Sequence, residues 1–331
     1  MEWIRGETIG YGSFASVSLA KPIFIVDDFP KLFAVKSCQA SCSASLMSEK
    51  EVLKKMKSCP HIIRFFGDEI SYEKGEMFYN LLIEYADGGD MSLKIKNSGE
   101  GKLPEEEVKR YTRSVVQGLK FIHENGFVHC DIKPKNVLLC SAGENGLEVA
   151  KIADFGLAKI AGEKIGVELR GTPLYMSPEM VKDGEQESPS DIWALGCLVT
   201  EMITGNPVWR FRAGENHFGL FMRIGASDES PEIPTDMSDE GKDFLGKCFI
   251  RDPKQRWTAE ELLSHPFIAS NEEDEVHVKL TSPRCPFDFL NQNNLVWSNS
   301  ITSLPSFHEE RLQQVIVESP NWSNSSWFAV R

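Results

Sequence analysis

The first third of the chain alternates short β-type runs with turns. Val17-Ser-Leu-Ala20 and Leu32-Phe-Ala-Val-Lys36 read as strands, being β-branched or aromatic and bounded by polar residues. Between them, Lys21 to Pro30 carries two prolines and two aspartates and reads as a loop or hairpin tip. Leu46, Leu53 and Met56 fall on one helical stripe with Glu and Lys between them, which predicts a helix over 46–56. Ile62-Ile-Arg-Phe-Phe66 and Met77 to Tyr85 return to strand character. Beyond Pro104 helices dominate. Pro104-Glu-Glu-Glu107 is a helix start, with proline early and acids in the first turn, and the helix is expected to run to His123. Ile192-Trp-Ala-Leu-Gly-Cys-Leu-Val199 is apolar nearly all round, so it predicts a helix buried in a large lobe. The last organised element is Ala259 to Leu263, followed by His265-Pro-Phe267, and there is no internal repeat.

Composition shifts after Ile268. Residues 269–331 carry four basic and eight acidic residues among Ser, Asn and Pro, and read as an acidic, polar, partly disordered tail. Within it Phe307, Leu312, Val315 and Ile316 form a weak amphipathic stripe that could dock, although composition favours a solvated tail. The whole chain of 331 residues is 41% hydrophobic and 26% charged, enough to bury a sizeable core. A net charge of -13 argues against nucleic acid as a partner, since phosphate backbones need a basic face. No apolar run approaches the ~20 residues of a membrane span, so no membrane insertion is expected. No apolar leader follows Met1. Eight scattered cysteines suggest reduced thiols, and Cys38, Cys42, Cys59 and His61 lack the paired spacing of a zinc site. Cytoplasmic residence is therefore expected, with nuclear entry and oligomeric state left open.

The chemistry begins at Gly10-Tyr-Gly12-Ser-Phe-Ala15-Ser-Val17. Glycines in a turn let backbone N–H groups approach phosphates. A dinucleotide-binding turn would require a helix next, but a strand follows, so a hairpin flap over phosphates fits better. Lys36, ending the next strand, then reads as a cation for the α/β-phosphates, and such a lysine needs a carboxylate to hold it. Glu49 and Glu51 compete for that role and spacing alone does not decide. Glu49 shares a helical face with Leu53, which would pack inward, and is preferred. In His129-Cys-Asp131-Ile-Lys133-Pro-Lys-Asn136, Asp131 can accept a hydroxyl proton, Lys133 can steady a γ-phosphate and Asn136 can bind Mg²⁺. Asp154, in Asp154-Phe-Gly156, supplies the second magnesium oxygen.

Taken in order, the glycine-rich loop, Ala34-Val-Lys36, His129-x-Asp131 with Asn136, Asp154-Phe-Gly156 and Ser177-Pro-Glu179 resemble the signature set of the eukaryotic protein kinases. The resemblance covers residues 3 to about 268. It implies an α+β, two-lobed fold. The N-lobe, about 3–86, holds an antiparallel sheet plus one key helix, and the C-lobe, about 87–268, is mainly helical. It implies ATP and Mg²⁺ in the cleft, with Ile9, Gly10, Tyr11, Gly12, Ser13, Phe14, Ala15, Val17, Ala34, Lys36 and Glu49 around the nucleotide. Ile83 would be the gatekeeper, and Glu84 to Ala86 the hinge that meets adenine. Lys133 after Asp131, and Gly171-Thr-Pro-Leu-Tyr-Met-Ser-Pro-Glu179, resemble serine/threonine kinases. By the same resemblance Thr172 bonds near Asp131 and Lys133, Glu179 pairs with Arg256, Asp191 holds the catalytic loop, and His129 stacks with Phe155 in the core. Gly-Ser-Phe-Ala in the flap, His-Cys-Asp-Ile-Lys-Pro and Ser190-Asp-Ile-Trp-Ala-Leu-Gly-Cys197 resemble the MEKK-like branch of plant mitogen-activated protein kinase kinase kinases. A mitogen-activated protein kinase kinase would then be the protein substrate. The alternative, a scaffold that binds nucleotide without turnover, predicts loss of Lys36, Asp131, Asn136 or Asp154, and all four are present.

The sequence departs from the family pattern at Cys130, where many kinases carry an arginine that meets a phosphorylated activation loop. Between Asp154 and Gly171 there is no Ser, Thr or Tyr. Activity independent of phosphorylation in this loop is therefore expected, with Glu168 a candidate for a fixed negative charge.

Overall fold

In the computed structural model, residues 2–12, 15–24, 29–142, 147–163, 170–269 and 328–330 are described. Five strands build the N-terminal layer. β1 (Trp3–Tyr11) and β2 (Ser16–Pro22) form a hairpin, β3 (Phe33–Gln39) joins β2, and β4 (Phe65–Glu73) with β5 (Glu76–Ile83) completes an antiparallel sheet in which β5 lies between β3 and β4. Both faces of β3 are covered, which is why Leu32–Lys36 reads as a nearly continuous apolar run. On one face Trp3 is fully buried, edge-on to Phe33 at 6.0 Å, with the Arg5 guanidinium 4.9 Å over its ring. Beside it Arg5 makes a two-pronged bond to Glu73, at 2.9 and 2.8 Å, and reaches Ser37 and Asn80, so this polar strip crosses four strands without an orphaned charge.

On the other face lies α1 (Ala44–Lys55), whose buried positions Leu46, Glu49, Val52 and Leu53 recur at helical spacing. Residues 62–66 depart from the expected strand. Only Phe65 and Phe66 belong to β4, whereas Ile62 bridges in parallel to Ile152, with Ile63 N–H and His61 C=O bonded to that same residue. The apolar run is split between two partners, a choice that a short run of side chains does not encode.

Helices carry the second lobe. α2 (Met91–Asn97) is capped by the Asp90 carboxylate on Leu93 N–H at 2.9 Å. α3 (Glu105–Glu124) follows Pro104 and buries Val108, Tyr111, Val115, Leu119 and Ile122 along one stripe. β6 (Phe127–Val128) leads into the catalytic loop, and β7 (Val137–Ala142) pairs with β8 (Leu147–Ile152). β9 (Lys159–Ile160) then returns to pair with β6. α4 (Pro178–Asp183) precedes α5 (Ser188–Thr204), which is buried nearly all round, as its composition predicts. α6 (His217–Phe221), α7 (Asp239–Cys248) and α8 (Ala259–Leu263) complete the lobe, α8 starting on a capping box of Thr258 and Glu261. A last strand, β10 (Phe328–Val330), pairs antiparallel with the free edge of β1 in the register Trp3↔Val330 and Arg5↔Phe328. Three residues are too few to show a period, so nothing in the chain announced it. The stripe at Phe307, Leu312, Val315 and Ile316 lies outside the described residues. Among the described residues no helix is long and apolar enough to cross a membrane.

Candidate active site

The site is assembled where β1–β3, α1 and the loops around β6–β9 converge. The β1–β2 hairpin closes at Tyr11↔Ser16, with Gly12 N–H donating to Ala15 C=O at 2.7 Å. Ile9 and Tyr11 are exposed, while Ala15 and Val17 pack against the core. Ser13 and Phe14 lie outside the described residues. Ala34 and Ile83 are register partners on β3 and β5, both buried. After Ile83 the chain leaves the sheet. Glu84 N–H donates to Arg64 C=O at 2.8 Å, and the Glu84 carboxylate takes both Lys151 Nζ, at 2.6 and 2.8 Å, and Arg64 N–H. That leaves Glu84 C=O and Ala86 N–H without a hydrogen bond among the described residues, a donor–acceptor pair suited to the edge of a purine.

Lys36 is the hub between the sheet and the C-terminal lobe. Its Nζ donates to Glu49 Oε2 at 2.7 Å and to Asp154 Oδ1 at 2.7 Å. Glu49 is only 3% exposed, and its place on the buried stripe of α1 decides the competition with Glu51, which lies on the solvent side and meets Lys54. Burial pulls the Lys36 ammonium down, but the Glu49 and Asp154 carboxylates outweigh it and hold its pKa above the ordinary value. For Asp154 burial pushes upward, and Lys36 more than compensates, so its carboxyl stays below the usual range.

The catalytic loop is held from beneath. Asp191, at the start of α5, accepts from His129 N–H and Cys130 N–H at 2.9 Å each and from the His123 ring at 2.9 Å. His129 packs edge-on against Phe155 at 4.9 Å and bonds to Ala153 C=O, tying the loop to the Asp154 segment. Above this base, Asp131 Oδ2 accepts from Lys133 Nζ at 2.6 Å and from Asn136 Nδ2 at 3.0 Å. Thr172 Oγ1 donates to Asp131 Oδ1 at 2.8 Å and accepts from Lys133 Nζ at 2.8 Å. Cys130 and Asp154 both adopt left-handed backbone, at φ 69 and 64, which side chains other than glycine rarely take and which the surrounding bonds enforce. Glu179 and Arg256 form the expected two-pronged buried pair at 2.7 and 3.0 Å.

The residues present fit a divalent cation. With its amide nitrogen committed to Asp131 C=O and carboxylate, Asn136 keeps its side-chain Oδ1 without a hydrogen bond among the described residues, and the Asp154 side chain is 50% exposed. No group of three His, Cys, Asp or Glu clusters among the described residues, so any such ion would complete its shell with nucleotide and water oxygens. Three side chains that sequence reasoning did not single out belong to this assembly. Lys151 anchors the hinge through Glu84, and Lys159 with Glu187 anchors the segment after Asp154. Their signal is weak, because isolated charged residues look like solvated surface. Glu168 lies outside the described residues.

A shared hub of lysine and two carboxylates, a left-handed Asp154 and an Asp131–Lys133–Thr172 triangle define a phosphoryl-transfer site, and the chain belongs to the protein kinase family. The family model described as protein kinase domain matches residues 3–268. The chain is 47% identical to mitogen-activated protein kinase kinase kinase 20 of Arabidopsis thaliana, over 100% of both chains. It is 40% identical to kinase kinase kinase 17 of the same organism, over 83% of this chain and 72% of that one, and 41% identical to number 18, over 83% and 80%. It is thus a serine/threonine protein kinase that uses ATP and a divalent metal and acts on protein substrates.

Proposed function

We propose that this kinase phosphorylates a mitogen-activated protein kinase kinase on Ser or Thr, using Mg-ATP. The supporting observation is likeness over the full length of both chains, tail included, to a protein named as a mitogen-activated protein kinase kinase kinase. In the proposed step Asp131 orients the substrate hydroxyl and accepts its proton as the oxygen bonds to the γ-phosphorus and the bond to the β-phosphate oxygen breaks, releasing ADP. Lys133 steadies the γ-phosphate and Lys36, fixed by Glu49, the α/β-phosphates. Asn136 and Asp154 hold Mg²⁺, which when bound neutralises phosphate charge. The kinase domain is proposed to span 3–268, with the lobes meeting near residue 86 and 269–331 as a tail. Cytoplasmic residence is supported by the described cysteines, which are all free thiols.

The test is transfer of labelled phosphate from ATP with Mg²⁺ to a panel of inactive mitogen-activated protein kinase kinases and to a generic basic protein, with Asp131→Asn as control. Labelling of a kinase kinase by wild type alone supports the reading. If only the generic protein is labelled, the proposed substrate is wrong although the kinase stands. Nucleotide binding without transfer would favour a scaffold.

A further inference from the structure

Lys159 sits on β9, five residues after Asp154, with a side chain only 6% exposed. A lysine so enclosed requires an anion, because an unpaired buried ammonium is costly. Its Nζ donates to Glu187 Oε1 at 2.6 Å and to Glu163 C=O at 2.9 Å. The second oxygen of the same carboxylate accepts Gly162 N–H at 3.0 Å. Glu187 therefore closes the lysine and the turn after β9 together. Its neighbour Gln186 holds the far side: Nε2 donates to Arg170 C=O at 3.3 Å and to Cys130 C=O at 3.0 Å, one residue before Asp131. Two consecutive residues entering α5 thus grip the chain before and after 164–169 and tie it to the catalytic loop.

Burial pushes the Cys130 thiol far above its ordinary pKa, so position 130 contributes no charge, and among the described residues Lys159 pairs with the Glu187 carboxylate. No hydroxyl lies between Asp154 and Gly171 to carry a phosphoryl group. We propose that Glu187, with Gln186, is a built-in substitute for an activating phosphate: a pair of positioning residues that hold the chain at 159–163 and at Arg170 against the catalytic loop and make the unphosphorylated kinase active. This rests on phosphoryl transfer itself and not on the proposed physiological substrate.

The test uses the full chain stripped by a broad-specificity phosphatase, its mass confirmed, with a generic basic protein as phosphoryl acceptor. Wild type is expected to keep at least about half of its activity, as no phosphate contributes to the grip. Glu187→Gln should lower kcat about tenfold, the loss of one charge-assisted pair, with the KM for ATP within about twofold. Amide exchange at Gly162 should rise in that variant, because the Glu187 oxygen that accepts its N–H is weakened. Loss of wild-type activity on phosphatase treatment overturns the proposal, as does a Glu187→Gln kcat within about twofold of wild type. Should Glu187→Gln prove unstable, Gly162 exchange in stripped wild type decides: protection supports the grip, and free-peptide exchange refutes it.

Discussion

Lys36 and Glu49 meet at 2.7 Å across the gap between β3 and α1, and the same ammonium reaches Asp154 at 2.7 Å. One cation thereby reports the placement of three elements: sheet, helix and the loop after β8. The ion pair lies at the cleft wall with Glu49 buried, so its removal leaves Lys36 tethered on one side only.

Glu49→Gln keeps the size and removes the charge. The transfer rate should fall about tenfold and the KM for ATP should rise, as one charge-assisted hydrogen bond to Lys36 is lost. Steady-state transfer at varied ATP measures both. Unchanged kinetics would detach this pair from nucleotide positioning.

Thr172 bridges Asp131 and Lys133 through one hydroxyl. Thr172→Val deletes both bonds while keeping the shape, and kcat should fall at least about tenfold. Thr172→Ser keeps the hydroxyl and should stay within several-fold of wild type. Equal losses in the two variants would mean that the methyl group, not the hydroxyl, matters.

Gly171 has φ 107, and a Cβ there would lie 2.7 Å from Cys130 C=O. Gly171→Ala should therefore destabilise the fold by about 1–3 kcal/mol and shift the Asp131–Thr172 contact, lowering kcat as well. Denaturant unfolding and transfer assays on the same preparation check both effects. An alanine variant as stable and active as wild type would show that the segment relaxes freely.

Acid should weaken the C-terminal lobe. Burial pushes the Glu179 and Asp191 carboxyls up, but Arg256 in the first case, and His123 with backbone N–H groups in the second, hold both below their ordinary values of 4.5 and 3.8. A depressed folded-state pKa gives stability that is full above the unfolded value and is lost as pH falls through the folded one. Urea unfolding should thus show stability declining as pH drops below about 4.5. Glu179→Gln should remove its share of that decline and cost about 3 kcal/mol at neutral pH, because Arg256 stays buried without its anion. A variant with the wild-type acid profile would refute the role of Glu179.

Much of the site was legible because its chemistry is carried by neighbours in the chain. Asp131, Lys133 and Asn136 lie within one loop, and a strand following Gly10–Ala15 already separated a flap from a dinucleotide turn. Glu49 was harder: two glutamates fit, and only the inward face of α1 favoured one. Glu187 and Lys159 were not legible, since they are 28 residues apart and each looks like ordinary surface charge. The same holds for the split of residues 62–66 between β4 and Ile152, where an apolar run shows that it is buried but not against what.

The sequence by itself determined the class of reaction, because the candidate residues depend on residue type and local spacing, and its resemblance to the protein kinases implied the two-lobed arrangement. The tertiary structure alone decided which charges find one another at long range: Lys36 with Glu49 and Asp154, Lys159 with Glu187, Arg5 with Glu73, and β10 with the edge of β1. Such pairings depend on how elements pack, and packing is fixed by the shape and volume of the whole core rather than by any short stretch of chain.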